Sequence, residues 1–145
     1  MNETHELRQD FVPKNPVEAR LLALHEGRLT PEDFIAEIRR EQLFLPVLDD
    51  SAGITGFQKS DRAQPLVVEA EGGVRVLILF TSPERAKAFT AHFPGFDKGG
   101  ILVDLDWILA RMEPGIGISI NPDWEIGYDL EPFQVEQLKA STGGA

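Results

Sequence analysis

Residues 74–80, VRVLILF, are apolar on both alternating faces. Val74, Val76, Ile78 and Phe80 point one way; Leu77 and Leu79 point the other, with Arg75 at the rim. A strand of this kind belongs inside a sheet covered on both sides. Gly72-Gly73 separates it from a second β-rich run at residues 66–71. Glycine supplies the positive φ of a tight turn, so the two runs are predicted to form a hairpin. Ser82-Pro83-Glu84-Arg85 then starts a helix, with serine as the cap and proline at the first helical position. Ala86, Phe89 and Phe93 share one face of that helix, and Glu84, Arg85 and Lys87 fall largely off it. Pro94-Gly95 stops it. The strand-to-helix turn lacks the glycines that let a phosphate approach, so it reads as structural.

The remaining elements are arranged around this unit. Asn15-Pro16 and Thr30-Pro31 each look like a cap followed by a first-turn proline. The apolar stripes Val17, Leu21, Leu24 and Phe34, Ile35, Ile38 follow them, which predicts an N-terminal helical hairpin. LFLPVL, residues 43–48, reads as a strand; Pro46 cannot donate a ladder bond, which places the strand at an edge or at a bulge. Residues 49–65 read as a long loop. Ile101-Leu102-Val103 is a short strand, and Asp104 caps a helix whose stripe is Leu105, Ile108, Leu109 and Met112. Residues 116–120 and 124–130 alternate apolar and polar side chains around Asn121-Pro122-Asp123, the pattern of a half-buried hairpin. A short helix over 131–138 closes the domain. The fold class expected is α+β: one domain over 15–138, with a mixed, mainly antiparallel sheet and packed helices. Flexible segments are expected at 1–14 and 139–145.

The 145 residues suffice for one core. They include no cysteine, which excludes disulfides and a thiolate zinc site. The leading MNETHELRQD is unlike a signal peptide and no apolar run spans a bilayer, so a cytoplasmic protein without a membrane partner is expected. The net charge is -10, which opposes binding to nucleic acid, where Lys and Arg must neutralise phosphates. Between residues 95 and 138 the acids are Asp97, Asp104, Asp106, Glu113, Asp123, Glu125, Asp129, Glu131 and Glu136, against only Lys98 and Arg111. A solvated surface accounts for such a bias; a face that steers a basic partner is the sharper reading.

FLPVL (residues 44–48), VLILFTSPERAKAF (76–89) and ISINPDWEIGYDL (118–130) together resemble the N-terminal domain of the SseB family. The resemblance covers roughly residues 17–138, and its more specific parts are the FTS-P-E-R and INP turns. It implies a bacterial, cytoplasmic α+β domain. It implies no established enzyme activity and no catalytic residues.

The residues themselves carry no catalytic constellation. His25 and His92 lie near helix C-termini, where a cation complements the dipole, and His5 lies in the N-terminal segment. There is no G-x-S-x-G elbow, H-E-x-x-H pair or phosphate loop. Asp104 and Asp106 have the chemistry to hold a hard cation, but capping and the helix dipole account for both. No cofactor, metal ligand or catalytic residue is therefore assigned. Trp107 lies opposite the apolar stripe of its helix, with Arg111 one turn on. Trp107 and Arg111, rimmed by Asp104 and Asp106, are the candidate contact for another protein or for self-association, because Trp and Arg dominate interface hot spots. The expected function is non-enzymatic protein binding. The alternative is a small-ligand or metal-dependent enzyme domain using the Asp104/Asp106 region.

Overall fold

Strand β4, Arg75–Leu79, sits between two neighbours in a four-stranded sheet of order β3-β4-β6-β7. It pairs antiparallel with β3, Val67–Glu69, and parallel with β6, Ile116–Ile120. The turn from β3 to β4 uses Gly72 and Gly73 at φ 79° and 83°, a region open to glycine without steric cost. Strand β6 pairs antiparallel with β7, Tyr128–Leu130. A second sheet has the order β2-β1-β5, with β1 at Gln42–Leu48, β2 at Gln64–Pro65 and β5 at Gly100–Asp104, all antiparallel. Reciprocal backbone bonds between Phe44 and Phe80, 2.8 and 3.0 Å, join the two sheets. The computed structural model describes residues 12–48 and 64–143; the expectations for residues 1–11, for most of the 49–65 loop and for 144–145 lie outside them.

Both faces of β4 are covered, as its sequence requires. Leu77 and Leu79 enter the main core. That core is shared with Val17 and Leu21 from helix α1, Pro16–His25, and with Phe34, Ile35 and Ile38 from α2, Pro31–Ile38. Leu105, Ile108 and Leu109 of α4, Leu105–Arg111, and Val135 of α5, Pro132–Gly143, also enter it, as do Leu43 and Leu45 of β1 and Ile116, Ile118 and Ile120 of β6. On the opposite face Ile78 and Phe80 meet Phe44, Leu66 and Ala86, with Phe89 and Phe93 alongside. Helix α3, Pro83–Thr90, supplies Ala86 and Phe89 there. The architecture is a single α+β domain with an N-terminal helical hairpin.

Each of the four predicted helix starts uses its cap. Asn15, Thr30, Ser82 and Asp104 accept the backbone N–H three residues on, at 2.9, 3.1, 3.3 and 2.8 Å. Replacing Asp104 by Ala is expected to lower stability by about 0.5–2 kcal/mol, and Asn should largely restore it. Thermal melting of the two variants checks this; equal losses would show that capping is not the role of Asp104.

Four expectations need correction. Strand β1 is not at an edge, since it lies between β2 and β5. Pro46 is tolerated because its missing N–H falls at the seam between the sheets. There the neighbour of β1 changes from Phe80 to Leu66, whose N–H bonds the Pro46 carbonyl at 3.1 Å. The second strand of the last hairpin starts at Tyr128 instead of residue 124, because Asn121 and Asp123 turn the chain at φ 57° and 72°. The last helix runs to Gly143, past the expected end at residue 138. Arg85, placed off the buried face of its helix, is 6% exposed.

Candidate functional site

The turns at residues 81–85 and 121–124 meet beneath the start of α1, and the meeting point is polar. Glu18 is fully buried, Thr81 and Asn121 are each 1% exposed, and Arg85 closes the group. The guanidinium of Arg85 grips the Glu18 carboxylate with two bonds of 3.0 Å, Nε to Oε2 and Nη2 to Oε1. Thr81 Oγ1 donates to Glu18 Oε2 at 2.6 Å, and the Lys14 N–H donates to Oε1 at 2.9 Å. Burial pushes the Glu18 carboxyl up, but bonds from Arg85, Thr81 and the Lys14 backbone, with the Arg85 charge, outweigh it and hold the group below its ordinary range. Arg85 Nη2 also donates to the Val12 carbonyl at 2.8 Å.

Asn121 carries this network into the β6–β7 turn. Its Oδ1 accepts the Thr81 N–H at 3.0 Å, and its Nδ2 donates to Thr81 Oγ1 at 3.0 Å. The left-handed backbone at Asn121 is thus anchored by its own side chain, and Asn tolerates that conformation better than most residues. Trp124 follows. Its indole N–H donates to the Arg85 carbonyl at 3.0 Å, and the Arg85 guanidinium lies 4.7 Å from its ring centre. The sequence marked these turns as distinctive but did not show that Glu18, Arg85, Thr81 and Asn121 are one unit. The signal was present in part: a glutamate three residues past a cap, beside the apolar stripe of α1.

The outer side of the same turn is concave. An open groove of about 660 Å³ runs past Ser119, Asp123, Trp124, Glu125, Tyr128 and Asp129, with Leu24 and His25 of α1 on its far wall. Gly127 lets the chain pass close beneath it: a Cβ there would stand 2.6 Å from the Ile120 carbonyl oxygen. His25 Nε2 lies 2.7 Å from the Gly127 carbonyl oxygen and donates to it, which ties α1 to the turn. Tyr128 packs edge-on against Phe34, ring centres 5.4 Å apart, and burial followed by the charge of Glu32 raises its pKa. Asp129 accepts the Ser119 hydroxyl at 2.7 Å. The groove therefore has aromatic walls and three carboxylates, and among the described residues neither Lys nor Arg lines it.

The residues singled out in the sequence lie elsewhere, around α4. Asp104 caps the helix, and Asp106 accepts Arg39 Nε at 2.9 Å. Arg111 stands over Trp107, 3.8 Å from its ring centre, so the expected stacking is present. Trp107 is half-buried and packs against the main core, where an exposed anchor was expected. Among the described residues no three His, Asp or Glu side chains converge as metal ligands would. Nor is any helix among them long and apolar enough to cross a membrane.

The family model described as SseB protein N-terminal domain matches residues 17–137. That span holds Glu18, both turns and the whole groove. No curated protein and no solved structure matches the chain.

Proposed function

From the premise that this chain belongs to the SseB family, as an N-terminal domain of that family, we propose that it acts as a non-enzymatic protein-binding domain and that the groove at the β6–β7 turn receives its partner. The observation that carries the reading is the groove itself. It is concave, walled by Trp124 and Tyr128, and held in shape from behind by a buried ionic network. Aromatic side chains in a rigid concavity are the usual anchors of interfaces. Trp107, Arg111, Asp104 and Asp106 remain the second candidate contact. The groove is favoured over them because it is an open concavity, whereas Trp107 packs against the main core.

Affinity capture with wild-type protein and with Tyr128→Ala tests the reading, with melting of both recorded. The expected result is a variant that still melts cooperatively and loses proteins that the wild type retains. An unchanged set of captured proteins would sink the groove as the contact. The alternative enzyme reading predicts a cation site at Asp104/Asp106. Calorimetric titration with Mg²⁺, Mn²⁺ and Ca²⁺ tests it, and saturable heat abolished by Asp106→Asn would favour it over binding.

A further inference from the structure

Independently of the groove, we infer that β5 is an interaction edge and that its occupant is β5 of a second copy of this chain, paired antiparallel across a two-fold axis at Leu102. The bonding of β1 fixes which way the edge faces. Phe44 bonds Phe80 with both of its backbone groups, at 2.8 and 3.0 Å, on the side away from β5. Backbone groups alternate in direction along an antiparallel ladder, so Leu43 and Leu45 bond β5 and Phe44 does not. Leu102, opposite Phe44, therefore turns its own N–H and C=O away from β1. Two residues to either side, the Asp104 N–H and the Gly100 C=O turn the same way. Among the described residues none bonds these outward groups, and β5 is the last strand of its sheet.

The residues of β5 select the occupant. Proteins that stay monomeric guard sheet edges with charge, proline or short strands. Strand β2 is two residues long and holds Pro65, β3 ends on Glu69, and β7 has Asp129 at its centre. Strand β5 is five residues long and uncharged from Gly100 to Val103, and the Asp104 carboxylate is taken by the Trp107 N–H. Leu102 is 50% exposed, on the face it shares with Phe44. A second β5 fits this row in one register. With the axis at Leu102, the two Leu102 residues face each other, Ile101 faces Val103 and Gly100 faces Asp104. No like charges are opposed. Each Leu102 N–H donates to the C=O of the other Leu102, and each Asp104 N–H donates to the C=O of Gly100 in the other copy. The contact is isologous, so it closes at two copies instead of growing into a fibre. It joins the two three-stranded sheets into one continuous sheet across both copies.

One strand is a small contact, and interfaces below roughly 1,200 Å² belong to weak complexes, so a dimer in exchange with monomer is expected. Each copy carries a net charge of -10, so added salt should strengthen the dimer by screening the repulsion. Sedimentation equilibrium of the full chain over a concentration series, with hydrogen exchange of its amides, tests the inference. The mass is expected to rise from one copy to two and no further, and the Leu102 and Asp104 amides to exchange more slowly as concentration rises. Leu102→Lys and Leu102→Glu each set two like charges against each other on the axis, and each should weaken dimerisation by about tenfold. An equimolar mixture of the two variants should dimerise again, because lysine then faces glutamate. A contact in another register or on another face gives no such rescue. The side chain of Leu102 is half exposed, so both variants should melt close to the wild type. A wild-type chain that stays monomeric at every concentration and salt, a dimer that neither variant weakens, or a mixture that behaves like its components would each overturn the inference. Slow exchange of the Leu102 and Asp104 amides that dilution leaves unchanged would also overturn it, since the chain would then cover its own edge.

Discussion

Arg85→Ala is expected to remove about 3–5 kcal/mol of folding stability, because it leaves Glu18 charged, buried and without its main partner. Glu18→Ala should also be destabilising, because it removes the anion that the buried guanidinium faces. Breaking a buried pair from one side is expensive, whereas replacing both partners with apolar groups is often tolerated. The double variant Glu18→Leu/Arg85→Leu should therefore be more stable than the sum of the single losses implies. Chemical denaturation of the four proteins checks this. If Arg85→Ala behaves like a change at the exposed Lys87 on the same helix, the network contributes little and the account of this turn is wrong.

The same pair sets an acid limb. Glu18 has a folded-state pKa below that of an unfolded chain, which is about 4.3 for glutamate. Its contribution is in place above that unfolded value and is lost as pH falls through the lower folded one. Stability should therefore fall on acidification below about pH 4.3, and Glu18→Gln should flatten that part of the profile. Other carboxylates contribute to the limb, so the difference between the two profiles carries the information.

Leu79→Ala is the second large expected effect, at about 2–5 kcal/mol. Leu79 is fully buried in the main core, on a strand with hydrogen-bonded neighbours on both sides. The cost combines lost transfer energy with the cavity left where sheet and helices cannot close in. Melting temperature and denaturant midpoint should both fall, with the denaturant slope unchanged. A loss below about 1 kcal/mol would mean that the strand is not the centre of the fold, since only yielding sites show so little.

What could be read from the sequence was local. The double-sided apolar pattern of residues 74–80 identified the central strand, and four polar residues before helical stripes identified four caps. These signals reside within a few residues of each other. The groove and its support were not legible because they arise from contacts between distant segments. Arg85 looks like a surface residue on its own helix; only the approach of Glu18, 67 positions earlier, gives it a reason to be buried. Trp124 fits a strand by alternation, and the two left-handed residues just before it move it out of the ladder. Pro46 reads as an edge residue until a seam between two sheets accounts for its missing donor. Trp107 sits opposite the stripe of its own helix, yet it packs against the main core, which helical periodicity alone does not show.

Site-specific photo-crosslinking in living cells tests the central claim most directly. A photoreactive residue at position 125, on the groove, is compared with one at position 88, on the exposed face of α3. Discrete crosslinks to another protein from position 125, absent from position 88 and lost in Tyr128→Ala, are the predicted result. Crosslinks that arise equally from both positions, or from position 88 alone, would contradict it.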